Sequence, residues 1–280
     1  MTGPAGFDWE AVLDRLSAFY HTGDWRVPYL RDHAEDPFQV MIGTILSQRT
    51  RDEATDVASA RLFARYPDAR SLARARPSAI EPLIRETGFY HTKARLIRAC
   101  AAEVLARFAG EVPRSFDELT SLPGVGPKTA NCVLVFGYGI PAIPVDTHVH
   151  RIANRLGVVR TRTPEETEAR LKEVLPREYW IPLNPLLVQH GQNLCRPIGP
   201  RCPECPIVDL CATGRGLRSG RAPPRAADRP RARSRGAGLT RRGSRASRPQ
   251  GTPRRPGTTG RRRPSRRGRR RPPLRSAGSS

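Results

Sequence analysis

The sequence predicts an all-α protein whose helices are joined by short connections. Through most of the first 212 residues, apolar side chains recur at three- and four-residue spacing, as on one face of an amphipathic helix. No segment alternates apolar and polar residues in the way that a half-buried strand does. Prolines, glycines and capping residues divide the pattern into separate helices, and no internal repeat is present.

Start and stop signals place the helices in order. The first helix carries Trp9, Leu16 and Tyr20 on one face. Asp36 is an expected N-cap because Pro37 follows it at the first helical position. The further predicted helices cover residues 37–47, 51–66, 77–88, 91–108, 128–136 and 146–156, with short ones after Ser115 and Thr163 and a last one opened by Asn184-Pro185.

The positive charge lies almost wholly at one end of the chain. Of the net charge of +23, residues 213–280 contribute +22, from 23 arginines and one acidic residue. This segment has no Ile, Val, Phe, Tyr or Trp, so we predict a disordered tail. It would either add sequence-independent phosphate contacts or be a dispensable extension. The charge therefore says nothing about nucleic-acid binding by the first 212 residues.

Apolar runs are too short for a membrane span of about 20 residues. The N-terminus has no basic start followed by an apolar segment, so we expect no signal peptide. We therefore expect a cytoplasmic protein, associated with the nucleoid, that does not bind membranes. In that compartment the six cysteines favour ligands or free thiols over disulfides, and Cys100 and Cys132 fall on apolar helix faces as core residues.

Residues 122–130 read Leu-Pro-Gly-Val-Gly-Pro-Lys-Thr-Ala, between two short predicted helices. Gly124 and Gly126 carry no side chain that would block a close approach to the backbone. Their amides, with the N-terminus of the next helix, form a site for an anion such as a phosphate. A bare Gly-x-Gly is typical of an ordinary turn, but the full string favours a helix–hairpin–helix element that binds the DNA backbone.

Lys128, inside that string, and Asp146, in Val-Asp-Thr-His-Val-His-Arg at 145–151, form a candidate catalytic pair. A lysine amine can attack the C1′ carbon of a nucleotide, expel the base and form a Schiff base, after which β-elimination cuts the strand. A carboxylate can stabilise the cationic sugar and help to move protons. Taken singly, Asp146 is equally typical of a helix N-cap and Lys128 of a phosphate-binding lysine.

Four cysteines occur within 17 residues, among several prolines and glycines. Thiolates so spaced can surround a Zn²⁺ ion or a [4Fe–4S] cluster, and the spacing alone does not separate the two. Arg196 and Arg201 lie in the same loop and could meet phosphate. The four predicted ligands are Cys195, Cys202, Cys205 and Cys211.

These motifs resemble, in identity and order, those of the endonuclease III family of helix–hairpin–helix DNA glycosylases, over residues 9–211. The resemblance implies that Lys128 and Asp146 are catalytic and that the cysteines hold a [4Fe–4S] cluster. It also implies a six-helix barrel over residues 29–140, a cluster domain formed by residues 1–28 and 141–212, and a DNA cleft between the two.

The same resemblance implies a flipped-out nucleotide whose place in the stack is filled by a side chain. The gap-filling glutamine of many relatives falls at the position of Arg49, with Gln48 one place earlier, and either residue could fill the gap. The expected partner of this chain, as a monomer, is double-stranded DNA with an oxidised pyrimidine or an abasic site. The expected DNA contacts are Gly124, Val125, Gly126, Gln48, Arg49, His148, Arg196 and Arg201.

Two alternatives stay open at this point. Monofunctional mismatch glycosylases of the same fold lack the lysine, or carry a glutamate where this chain has Thr44, so Lys128 favours a bifunctional enzyme. A non-catalytic DNA-binding protein with an arginine-rich arm is the second alternative, and the near-neutral charge of residues 1–212 keeps it open.

Overall fold

The computed structural model describes residues 6–22 and 36–218, and these residues are helical without any strand. The all-α prediction is therefore confirmed. Single turns of 3₁₀ helix occur at Glu81–Leu83, Arg177–Tyr179 and Cys202–Glu204, and a π-helical turn at Val133–Gly137. The α-helices are α1 Trp9–His21, α2 Pro37–Ser47, α3 Asp52–Arg65, α4 Ala69–Arg74, α5 Pro77–Ile80, α6 Tyr90–Phe108, α7 Phe116–Thr120, α8 Pro127–Cys132, α9 Thr147–Leu156, α10 Pro164–Val174, α11 Trp180–Asn193 and α12 Ala212–Arg218.

Buried apolar side chains form two clusters within one compact unit. The first cluster runs from Phe38 on α2 to Ala142 and includes the apolar faces of α2, α6 and α8. The second joins α1 to the chain from Ile143 to Ile207. Helix α1 thus packs with the C-terminal half of the described chain, and the Trp9 indole nitrogen donates to the Val174 carbonyl at 3.1 Å. The division into two domains stays a prediction, and its boundary at residues 28–29 lies outside the described residues.

Helix α11 begins earlier than predicted. Asn184-Pro185 does not open it, because Pro185 lies inside a helix that starts at Trp180. A proline in a helix interior removes one backbone hydrogen bond. Burial of the turn before it outweighs that loss, since Leu183 and Asn184 are both buried and the Asn184 amide donates to the Pro144 carbonyl at 2.7 Å.

Three other predicted boundaries move. The helix opened by Pro77 gives way to a 3₁₀ turn at Glu81–Leu83 because Pro82 has no amide hydrogen to continue it. Helix α8 likewise passes into the π-helical turn at Val133. The predicted start of disorder at residue 213 is wrong, because Thr213 is buried in α12 and its hydroxyl donates to the Arg155 carbonyl at 2.9 Å. Residues 219–280 of the predicted tail lie outside the described residues.

Candidate active site

The hairpin joins α7 to α8, and its two glycines do different things. Gly124 has a φ of +81°, and a Cβ there would lie 2.7 Å from Leu96 Cδ2, so both conformation and packing demand glycine. Gly126 caps α8, and a Cβ on it would have no atom within 4 Å. Val125 between them is buried and anchors the turn in the first apolar cluster. The hairpin is thus held from inside and open at Gly126.

Lys128 and Asp146 both lie within electrostatic range of a buried thiol. Cys132 lies one helical turn after Lys128 on α8 and is completely buried. Burial raises the pKa of this thiol, the charge of Lys128 lowers it, and the charge of Asp146 raises it. The side chain of Thr44 on α2 is also completely buried, and its hydroxyl has no hydrogen-bond partner among the described residues. Lys128 and Asp146, which are 18 positions apart in sequence, therefore both act on the Cys132 thiol.

Asp146 is the N-cap of α9. Its Oδ1 accepts hydrogen bonds from the His148 and Val149 amides at 2.9 and 2.8 Å. Within the described part of the chain, Oδ2 has no hydrogen-bond donor, and the residue is partly exposed. One oxygen thus fixes the carboxylate to the helix, while the other is available to a ligand.

The sequence contains three lysines, and two of them are occupied elsewhere. Lys93 is buried, and its ammonium donates to three oxygens at 2.6–2.8 Å. Lys172 pairs with Glu168 at 2.6 Å on α10. Lys128 is therefore the lysine that remains at the hairpin, and its charge acts on the same Cys132 thiol as that of Asp146.

The loop after α2 presents both candidate gap-filling residues at the surface. The Gln48 side-chain amide donates to the Gly124 carbonyl at 3.3 Å, which ties this loop to the hairpin. Arg49 has a φ of +56°, and its guanidinium lies 5.3 Å from the centroid of the Phe89 ring. Phe89 is itself 65% exposed. The loop that carries both residues is thus hydrogen-bonded to the hairpin that precedes Lys128.

An open cavity collects His148 and Arg196 but not Arg201. Arg51 and Asp52, at the start of α3, also line this cavity, as does Gln192 on α11. Gln192 donates to an Asp52 carboxylate oxygen at 2.7 Å, which bridges α11 to α3.

Arg201 lies apart from that cavity. Its guanidinium forms a two-point ion pair with Glu204, with Nε 2.7 Å from Oε1, and lines the cysteine site instead. The two loop arginines that the sequence grouped together are therefore separated.

The four predicted ligands Cys195, Cys202, Cys205 and Cys211 line one cavity, and all four are free thiols. Among residues 6–22 and 36–218, no three His, Cys, Asp or Glu side chains are grouped closely enough to hold a single metal ion. Burial, with a smaller contribution from the neighbouring thiols, raises the pKa of Cys205 to about 12. A donor set of four thiols suits either a tetrahedral zinc ion or an iron–sulfur cluster.

Basic side chains surround this cavity. The Arg155 guanidinium donates to the Cys195 thiol at 3.2 Å and to the Arg196 and Pro197 carbonyls at 2.7 and 2.9 Å. His190 lies with Nε2 3.6 Å from the Cys205 sulfur, and its Nδ1 is 2.8 Å from the Tyr20 hydroxyl. Burial, then the charges of Arg151 and Arg155, lower the pKa of His190 to about 4, so the imidazole is neutral near pH 7.

Fold, hairpin and cysteine loop together define a helix–hairpin–helix protein of base excision repair. Residues 42–177 match the family model described as HhH-GPD superfamily base excision DNA repair protein. The chain is 50% identical over 182 residues to endonuclease III of Thermotoga maritima, covering 65% of this chain and 85% of that one. It is 40% identical to endonuclease III-like protein 1 of Bos taurus, covering 75% and 73%.

Solved structures agree with the sequence comparison. A trapped endonuclease III–DNA covalent intermediate matches with a TM-score of 0.66 and 33% identity, covering 75% of this chain and 96% of that one. The chain belongs to the endonuclease III family. It is accordingly a DNA glycosylase of base excision repair with abasic-site lyase activity.

Two residues at this site were not singled out as functional from the sequence. Lys93 interrupts an otherwise apolar face of α6, next to Ala94 and Ile97, and a lone lysine there is a signal that could have been noticed. Cys132 was predicted to be a core residue, and it is, but its position four residues after Lys128 also puts it under the hairpin.

No helix in the described chain is long and apolar enough to cross a membrane.

Proposed function

We propose that Lys128 is the nucleophile and Asp146 the supporting carboxylate of this glycosylase and lyase. The observation that supports the assignment is that the charges of both residues act on the buried Cys132 thiol, in opposite directions, so an amine and a carboxylate both lie near this thiol under the hairpin. The assignment is also supported by the other two lysines, because Lys93 bonds to the Leu46 carbonyl and Lys172 pairs with Glu168.

The chemistry follows from these two groups. The Lys128 amine attacks C1′ of the damaged nucleotide, so that a C1′–N bond to lysine forms while the glycosidic bond breaks and the base leaves with a proton. The open Oδ2 of Asp146 stabilises positive charge on the sugar and accepts or returns protons at the amine. The sugar ring then opens, as the C1′–O4′ bond breaks and O4′ takes up a proton, which leaves an iminium between C1′ and the lysine nitrogen. The iminium acidifies the C2′ hydrogen, and its removal expels the 3′ phosphate, which nicks the strand.

DNA would be held across the surface that these elements share. The open side of Gly126 and the amides at the start of α8 suit a backbone phosphate. Gln48 and Arg49 would fill the gap left by the flipped nucleotide. His148 and Arg196 would face DNA from the cavity, whereas the ion pair of Arg201 with Glu204 argues against a strong phosphate contact there.

The four cysteines would hold a [4Fe–4S] cluster, as expected of the family. When bound, the cluster would fix the loop of residues 195–211, and thiolates would replace the raised-pKa thiols at its iron atoms. Arg155 would neutralise part of that charge through its bond to the Cys195 sulfur. The role is structural, because Lys128 and Asp146 supply the groups that the reaction needs.

Borohydride trapping on a duplex with one abasic site tests this proposal. With only three lysines in the chain, peptide mapping of the trapped adduct identifies the nucleophile without ambiguity. We expect the adduct on Lys128, its loss in Lys128→Ala, and its retention in the matched variant Lys172→Ala. An adduct that survives Lys128→Ala, or no adduct with the wild-type protein, would contradict the assignment.

Oxidised pyrimidines are the proposed substrates, and the enzyme is proposed to act as a monomer on duplex DNA of the nucleoid. A panel of duplexes, each with one defined lesion, distinguishes this from mismatch specificity. Excision of thymine glycol ahead of a thymine or uracil mismatch is the expected order. The buried Thr44, where mismatch enzymes carry a glutamate, supports the oxidised-base assignment because threonine cannot supply a carboxylate there.

A further inference from the structure

The C-terminus of α2, where the next loop begins, has no basic side chain of its own to offset its partial negative charge. Helix α2 ends at Ser47, and no basic residue lies in its last turn. The final carbonyls of a helix lack partners within the helix and carry partial negative charge. The residues proposed to fill the gap in DNA, Gln48 and Arg49, follow immediately. Their positions depend on how this helix end is held.

Lys93 supplies the missing cation from another helix. Its ammonium donates to the Leu46 carbonyl at 2.6 Å, the Gln48 carbonyl at 2.8 Å and the Thr50 hydroxyl at 2.7 Å. All three of its protons are thereby used, and the side chain is only 5% exposed. The Thr50 hydroxyl also lies 3.3 Å from the Gln48 carbonyl, which closes a small network around that residue.

The backbone that Lys93 holds is in an unfavourable conformation. Arg49 lies in the left-handed region with φ of +56°, and Phe89, whose ring meets the Arg49 guanidinium, does so with φ of +60°. Such conformations persist where surrounding contacts impose them, and they concentrate at functional positions. A Cβ on Gly88 would lie 3.3 Å from the Arg49 carbonyl oxygen, so the two loops are in close contact.

We propose that Lys93 is a positioning residue, which clamps the Leu46–Thr50 backbone so that Gln48 and Arg49 enter the DNA stack when the damaged nucleotide leaves it. This role rests on the proposed function. It differs from general structural support, since it predicts a defect only where there is a stack to fill. An abasic site in single-stranded DNA offers no such gap, whereas the same site in a duplex does.

The test compares Schiff-base formation by wild-type protein and Lys93→Met on matched single-stranded and duplex abasic substrates, in single turnover. On the duplex we expect a loss of roughly tenfold to a hundredfold, typical of misplacement by about 1 Å. On the single strand the two proteins should agree within about twofold. Lys172→Met, which removes a surface lysine paired with Glu168, is the matched control and should behave as wild type on both substrates.

A second measurement reports the gap directly. 2-Aminopurine placed opposite the abasic site brightens when it loses its stacking partners, so wild-type binding should raise its fluorescence and Lys93→Met should raise it less. Lys93→Arg, which keeps a cation and several donors, should restore part of both signals. Thr50→Val removes one acceptor and should give the same pattern more weakly, which keeps the test open if Lys93→Met does not fold.

The outcomes separate this proposal from the one on which it rests. Equal losses on single-stranded and duplex substrates, or full duplex activity in Lys93→Met, would overturn the positioning role. If the wild-type protein formed no Schiff base on either substrate, the function assigned to Lys128 would fail. The 2-aminopurine comparison would still decide what Lys93 does.

Discussion

Asp146 has a structural role as a helix cap and a proposed catalytic role, and one substitution can separate the two. As the N-cap of α9 it accepts two backbone amides on one oxygen, and as the proposed catalytic carboxylate it needs its negative charge. Asparagine caps a helix about as well as aspartate, but it carries no charge. Asp146→Asn should therefore keep the helix cap and lose the chemistry, while Asp146→Ala should lose both.

The magnitudes follow from the geometry. Removing the cap in Asp146→Ala should cost about 1 kcal/mol, within a range of roughly 0.5–2 kcal/mol. In a domain of this size that lowers the melting temperature by about 2–4 °C. In Asp146→Asn only the favourable interaction of the charge with the helix dipole is lost, roughly 0.3–1 kcal/mol. Excision should fall about 10²–10³-fold in both variants, as for the loss of one group that stabilises transition-state charge.

Thermal unfolding and single-turnover base excision, measured side by side, give the two quantities. Asp36→Ala is the control, because Asp36 caps α2 in the same way, by accepting hydrogen bonds from the Phe38 and Gln39 amides at 2.8 and 3.3 Å, and has no proposed part in the reaction. It should lose stability and keep activity. Wild-type excision by Asp146→Asn, or equal destabilisation by the Asn and Ala variants, would refute the separation of the two roles.

Three further predictions concern the hairpin, the cysteine site and pH. Gly124→Ala must adopt a positive φ and displace Leu96, so it should cost roughly 1–3 kcal/mol in denaturant unfolding and weaken duplex binding in fluorescence anisotropy. Cys205→Ser should lower the iron-to-protein ratio and the visible absorption of the purified protein, and zinc in place of iron in the wild type would show the cluster assignment to be wrong. Burial alone lowers the pKa of Lys93 from 10.5 to about 8, so the unfolded chain binds more protons than the folded one between those values. The free energy of unfolding of the wild type, relative to Lys93→Met, should therefore rise with pH through that window, and a fall would contradict the burial of a charged amine.

Local signals in the sequence predicted most of the helices, because caps and breakers act within a few residues. The Asp36-Pro37 start and the glycine stop at Gly157, with a φ of +84°, are found as expected. Helix α4, Ala69–Arg74, was not predicted, since six residues are too few to display a period, although Asp68 and Ser71 do form a capping box. The helix start predicted at Asn184-Pro185 was wrong for the opposite reason. There the local signal is strong, but burial of the preceding turn keeps Pro185 inside the helix.

The site shows the same limit at longer range. Lys128, Asp146 and the cysteines stand in compact strings whose residue types already indicate their chemistry. Lys93 bonds to backbone carbonyls 45 and 47 positions away, and no sequence pattern displays a carbonyl as a partner. Arg196 and Arg201, five residues apart, point to different places because one of them pairs with Glu204. Proximity in sequence is therefore a poor guide to which arginine faces a ligand.

Helix α9 explains how a cysteine site can matter to a reaction in which its thiols take no part. The helix starts at the Asp146 cap and spans about 15 Å. Further along it, Arg151 donates to the Cys195 carbonyl at 2.9 Å, and Arg155 bonds the Arg196 and Pro197 carbonyls. A displaced cysteine loop would pull on both arginines, and a rigid helix would pass that tilt to its N-terminus, where we propose that Asp146 meets the sugar. The cysteine loop would thus act on the proposed reaction by orienting the Asp146 carboxylate.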